Sequence, residues 1–386
     1  MRMKKLSQKK KIKKIRHDKK YLYKLAKRRG RSCLFHHKDS TELSESKKLY
    51  ARQITAVGRF EGKRRKIPIH GVRKAFDLPE NLDFEGNYDT SLKCLLGIRA
   101  LGDMQRRNKF NYYLEFSLLK NISPAALLVL TAELDCRVGY ANTARRKGQR
   151  LPADSQKWNP HITALFQDFG IFELLCAQPE VRMTYGDKLK AVKFRRGTTQ
   201  DGDAALRLIH EIVEVTGNEP NSQERLWEGI GEAVANVLDH AYPHPYVSYP
   251  AKRIAAWWAG AIYDNLSHTT HFMVYDRGIG LPASLPKKEG FQALLARLAI
   301  SNPTEAHLVW AAIKNPQSST LLGYRGEGLR QMAEVVDNHK GSSLQILSGN
   351  ASMTYLGGEN KILKNLPVEF CGTLIEWRIK HERSYN

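Results

Sequence analysis

Three clusters in the C-terminal half hold residue types that can do chemistry together. Glu232, Asn236 and His240 recur at four-residue intervals in GIGEAVANVLDHAY. On a helix that spacing stacks them along one face. The amide carbonyl of Asn236 suits a hard cation such as Mg²⁺. The Glu232 carboxylate can take a proton from an attacking water or hydroxyl. Asp276, Gly278 and Gly280 follow in VYDRGIGLP. An Asp at a strand end can accept from an exocyclic amine such as that of adenine, and the glycines let the backbone turn close to a ligand. Gly323, Gly326 and Gly328 make the third cluster, LLGYRGEGLRQM. A glycine-rich turn that opens a helix presents unpaired N–H groups and a positive dipole end to phosphate. Arg325 and Arg330 flank it and can neutralise phosphate charge. The Lys-Ser/Thr of a Walker-type loop is absent.

Each cluster taken alone also has a plain reading. The first is the polar face of an amphipathic helix. The second is an Asp-x-Gly turn after a strand. The third is a glycine-capped loop with surface arginines. Their order along the chain is what favours a shared nucleotide site.

The elements that must hold these residues can be read from hydrophobic spacing. Leu226, Ile230, Val234, Val237 and Leu238 predict a helix from about Arg225 to Ala241. Thr270–Tyr275 predicts a buried strand, rich in β-branched and aromatic residues. Leu329, Met332, Ala333 and Val336 predict a helix into which the turn Gly326-Glu327-Gly328-Leu329 leads. KRIAAWWAGAIYD reads as a strand, with Trp257 and Trp258 in the core. Gly372-Thr373 precedes a further strand, LIEWRI.

Together the three clusters resemble the GHKL ATPase superfamily, which includes gyrase, Hsp90, MutL, histidine kinases and anti-sigma-factor serine kinases. The resemblance covers about residues 200–380 and implies a Bergerat α/β sandwich: a mixed sheet with one helical layer. It implies ATP and Mg²⁺ as ligands. Glu232 then matches the catalytic base and Asn236 the metal-binding residue. Asp276, Gly278, Gly280, Arg325, Gly326, Gly328, Leu329 and Thr373 match the nucleotide-binding positions. Residues between Leu281 and Leu322 match a mobile lid. One glycine of the last box is displaced, so Arg325 is expected to grip the γ-phosphate. The style is nearest the anti-sigma and histidine kinases.

Upstream, residues 75–185 read as a separate small α/β unit, followed by the ATP-binding unit at 186–386. NYYLEFSL, residues 111–118, is strand-like, and Ser123-Pro124 is a helix-start signal. HITALFQDFGIFELL reads as a helix broken at its glycine. This order resembles the STAS domain of anti-sigma-factor antagonists. That resemblance makes Ser123 a phosphorylation candidate. The residue before it is Ile122, not the family's Asp, and Ser123 also reads as an ordinary N-cap.

The charge is concentrated in one segment. The net charge is +23. Residues 1–74 hold 27 Lys and Arg against 5 Asp and Glu, while the rest of the chain is near neutral with 35 against 34. Such an arm is expected to be disordered or a lone helix. It is suited to phosphate backbones, with strong salt dependence and little sequence preference. Tyr21 and Tyr23 offer stacking surfaces for single strands or RNA. A solubilising tail, or an arm that meets an acidic protein, is the plain alternative.

Five scattered cysteines include no C-x-x-C pair, so neither a zinc site nor a disulfide framework is expected, and a cytoplasmic setting fits. No apolar run reaches the ~18 residues that span a bilayer, and no apolar core follows the N-terminal charges as in a signal peptide. Three functions follow. The first is an ATP-gated regulatory switch with ATPase activity. It would work with a protein partner, with nucleic acid or as a homodimer, and the two resemblances together imply a bacterial regulatory or defence system. The second is a serine/threonine kinase of the anti-sigma type. The third is a nucleic-acid-binding module whose ATP site does not turn over.

Overall fold

The computed structural model describes residues 74–106, 112–143, 155–174, 189–198, 202–217, 223–242, 255–285, 295–296, 300, 302–314 and 328–381. The basic arm lies outside these residues, as do Gly323, Arg325 and Gly326 of the third cluster.

The N-terminal residues form two short parallel strand pairs. β1 (Lys74–Asp77) pairs with β3 (Tyr112–Glu115), and β2 (Asn81–Leu82) pairs with β4 (Asn121–Ile122). Helix α1 (Tyr88–Arg106) provides the crossover that parallel pairing requires. Helix α2 (Pro124–Thr143) starts as the Ser-Pro signal dictates, with Ser123 Oγ accepting the Ala126 N–H at 3.4 Å. Helix α3 (Pro160–Asp168) is capped by Asn159, whose side chain accepts the His161 N–H. Gly170, at a φ of 87°, then breaks the chain before α4 (Ile171–Leu174).

The C-terminal residues build a five-stranded sheet. Its strands are β5 (Leu189–Gly197), β6 (Trp257–Asp264), β7 (Thr269–Asp276), β8 (Ser343–Tyr355) and β9 (Lys361–Lys380). Their spatial order is β5-β6-β7-β9-β8, and every neighbouring pair is antiparallel. The expected mixed sheet is therefore corrected. Short reversals join β6 to β7 and β8 to β9, and a short reversal makes neighbours antiparallel. The helices are α5 (Gly202–Thr216), α6 (Gln223–Asn236), α7 (Leu281–Ser284), α8 (Glu305–Lys314) and α9 (Gly328–Asp337). A π-helical turn, Val237–Ala241, extends α6.

Strand alternation gives this sheet two apolar faces. On β6, β7 and β9 one set, Trp257, Phe272, Val274, Ile375 and Trp377, packs under α5, α6, α8 and α9. The other set, Trp258, Met273, Tyr275 and Leu374, shares a core with Leu128 of α2, Phe166 of α3 and Phe172 of α4. The helices of the C-terminal residues thus form one layer on one face, and the N-terminal elements cover the reverse face. Phe84 stands edge-on to Phe370 at 5.5 Å, and the Tyr88 hydroxyl donates to the Val368 carbonyl at 2.8 Å.

Part of the expected lid is core. In α8, Ala306, Val309, Trp310, Ala311 and Ile313 are buried. A helix with that much apolar surface is held down by burial. Among the described residues no helix is long and apolar enough to cross a membrane.

Candidate functional site

Helix α6 carries Asn236 to a cleft, with Glu232 one turn earlier on the same helix. The cleft is lined by Asn236, His240, Asp276, Gly280, Leu329 and Thr373, over an apolar wall that includes Val237, Val274 and Ile375. The space measures about 400 Å³, part of it open to solvent. Among the motif positions that are described, residues from all three clusters border this one cleft, although 96 residues separate Glu232 from Gly328.

Asp276 ends β7 with its side chain on the α6 side of the sheet, 3% exposed. Its carboxylate accepts the Gly278 N–H at 2.6 Å. It also accepts the hydroxyl and the N–H of Thr373, its register partner on β9. Burial raises its pKa from 3.8 to about 7 against these hydrogen bonds. At neutral pH the group is therefore poised between accepting and donating.

The backbone around Asp276 demands close approach. Gly372 has a φ of 99°, and a Cβ there would stand 1.9 Å from the Asp276 carbonyl oxygen. Only glycine fits both conditions. Ser348 of β8 locks the same corner. Its hydroxyl donates to the Gly372 carbonyl at 2.9 Å and accepts the Leu281 N–H at 2.8 Å. Sequence reasoning missed Ser348, which is one of several polar residues in its strand and has no distinguishing signal there. It also missed Tyr242, which accepts the Arg277 N–H and donates to the Ala256 carbonyl, both at 2.9 Å.

Gly328 joins the third cluster to the first. A Cβ on it would stand 2.6 Å from Glu232 Oε2 and 3.3 Å from Asn236 Nδ2. The N-terminal end of α9 therefore abuts the α6 polar face, where its open N–H groups and dipole favour an anion. The Trp377 indole fixes α9 on the sheet by donating to the Met332 carbonyl at 2.9 Å. Leu329 lines the cleft, as expected.

Asn236 carries a buried side-chain nitrogen with no protein partner. The two ends of an amide are interchangeable by a flip, so the same position can direct its carbonyl oxygen at a cation. That donor chemistry fits Mg²⁺ completed by water and phosphate oxygens. Among the described residues no cluster of three His, Cys, Asp or Glu forms a metal cage. Such a cage is the alternative that Mg²⁺ beside a nucleotide does not need.

No protein-family model matches this chain, and no curated protein matches it.

Proposed function

We propose that the cleft binds Mg-ATP and that the chain is an ATPase of the GHKL type, working as an ATP-gated regulatory switch. The observation that carries this reading is the contact of Gly328 with Glu232 and Asn236 beside the Asp276–Thr373 floor. A phosphate-favouring helix start, a carboxylate and an amide stand at one end of the cleft. A buried acceptor for an exocyclic amine stands at the other.

In this reading the adenine amine donates to Asp276, whose ionised form is held by Thr373 and Gly278. Val274 and Ile375 provide the apolar surface for the base. Asn236 holds Mg²⁺ through its carbonyl, and the ion neutralises phosphate charge. Glu232 takes the proton from the attacking water. Arg325 and Gly326 are assigned to the phosphates by sequence alone. The Lys/Arg arm is assigned a nucleic-acid or acidic protein partner by its charge.

The test is incubation with γ-labelled ATP and Mg²⁺, with and without DNA or RNA. Released phosphate and labelled protein are both followed. Released phosphate that disappears in Glu232→Ala is the expected result. Label on the protein that is lost in Ser123→Ala would replace the ATPase with a serine kinase. Absence of ATP binding in calorimetry would remove the reading altogether.

A further inference from the structure

Arg277 directly follows the Asp276 acceptor, so strand alternation sends its side chain through to the reverse face of the sheet. There its Nε stands 3.3 Å from Glu133 Oε1 of α2. The Arg277 side chain is 14% exposed and that of Glu133 only 1%. The same carboxylate takes Arg99 of α1 through Nη2 at 2.5 Å and Nε at 3.1 Å. Arg99 Nη2 also donates to the Tyr275 hydroxyl at 2.9 Å, and that hydroxyl donates to the Cys371 carbonyl at 3.1 Å. Tyr275 and Arg277 flank Asp276 in sequence. Cys371 lies two residues before Thr373, which hydrogen-bonds to Asp276. Every one of these side-chain contacts lies on the face away from the cleft.

We propose that Arg277 is a positioning residue: through Glu133 the N-terminal unit holds the Asp276 turn and the Thr373 strand in ligand-accepting register. Glu133 is buried and shared by two half-buried arginines, Arg99 by hydrogen bonds and Arg277 by an ion pair alone, so its carboxylate cannot drift without stranding charge in the core. The contact is therefore all-or-none, and it converts the pose of α2 into the pose of the cleft floor. The rest of the interface does not share this property. Asp135, on the same helix, holds Arg196 at 2.8 Å and the Trp258 indole at 2.9 Å, and these residues lie on β5 and at the start of β6. Asp135 thus serves as a comparison, a charged α2 contact that reaches the sheet through Trp258, the register partner of Tyr275, rather than through Arg277.

The inference rests on the ATP reading for its functional consequence, and the experiment separates the two. Full-length Arg277→Met, Arg277→Lys, Glu133→Gln and Asp135→Asn proteins are compared with the wild type. Three quantities are measured: the Mg-ATP affinity by calorimetry, the denaturant midpoint, and amide hydrogen exchange across residues 276–280 and 371–373. Arg277→Met and Glu133→Gln are expected to weaken affinity about tenfold and to speed exchange in both segments. Arg277→Lys recovers part of each. Asp135→Asn lowers the midpoint yet leaves affinity within about twofold. The proposal is overturned if Asp135→Asn and Arg277→Met weaken affinity and speed exchange alike. It is equally overturned if Arg277→Met, or Glu133→Gln should the former not fold, moves neither quantity. A wild-type protein that binds no ATP would defeat the ATP reading only, because the exchange comparison still decides whether Arg277 positions the turn.

Discussion

Asp276 shows how one side chain reports on its surroundings. A carboxylate at the end of a strand is ordinary, but burial lifts this one from 3.8 to about 7. An adenine amine needs the ionised form, so nucleotide affinity should fall as pH drops through about 7. Titration calorimetry at several pH values should show this, and Asp276→Asn should flatten the profile. The same substitution should weaken ATP binding about tenfold or more, the scale of a hydrogen bond to a charged group. Unchanged affinity would remove the adenine assignment. Folding of the free protein follows the opposite sign. The contribution of a raised carboxyl is fully present below its unfolded pKa and is lost as pH rises through about 7. Glu232 makes a separate prediction. Glu232→Ala should retain Mg-ATP affinity while phosphate release falls about a hundredfold or more, the scale of general-base catalysis. Retained turnover would assign proton transfer elsewhere.

At the level of elements, the cleft depends on joints between strands. The β8–β9 ladder breaks register after Ser348, and Gly372 turns sharply against the Asp276 carbonyl at the same level. The Ser348 hydroxyl fills that break by serving Gly372, Leu281 and Thr373 together. Ser348→Ala should therefore cost about 1–3 kcal/mol, because it strands buried backbone groups. A urea midpoint within error of the wild type would show that the joint is held by other contacts. Much of this architecture was legible in advance. Helix α6, strands β6 and β7 and a helix after the third glycine cluster follow from apolar spacing. The joint was not legible, because Ser348 is one of several polar residues in β8 and nothing in their spacing sets it apart. The fate of Glu305–Lys314 was also hidden, since apolar helical spacing fits a mobile cover and a core helix equally well.

At the scale of the whole molecule, the N-terminal elements are structural partners of the sheet. Trp258, Met273, Tyr275 and Leu374 face Leu128, Phe166 and Phe172 across one continuous core. A fragment of residues 189–386 would expose that face. It should aggregate or bind a hydrophobic dye, whereas residues 74–386 should remain monodisperse in sedimentation. A well-folded, monomeric short fragment would show that the sheet needs no cover. The charged arm is proposed to serve a different function. Deleting residues 1–32 should spare Mg-ATP affinity and lower nucleic-acid affinity at about 50 mM salt, where phosphate contacts are strongest. Equal nucleic-acid affinity before and after deletion would place binding elsewhere.

The amino-acid sequence by itself determined the local elements, the basic segment and the residue types able to meet a nucleotide. These depend on short-range periodicity, capping and composition, which a linear chain displays openly. Tertiary structure alone decided that Gly328 meets Glu232 and Asn236, that β8 and β9 close antiparallel over the Asp276 corner, and that Arg277 reaches Glu133 through the sheet. The 143 positions between Glu133 and Arg277 hold no periodicity that pairs them. Only packing both faces of one sheet brings their charges into contact.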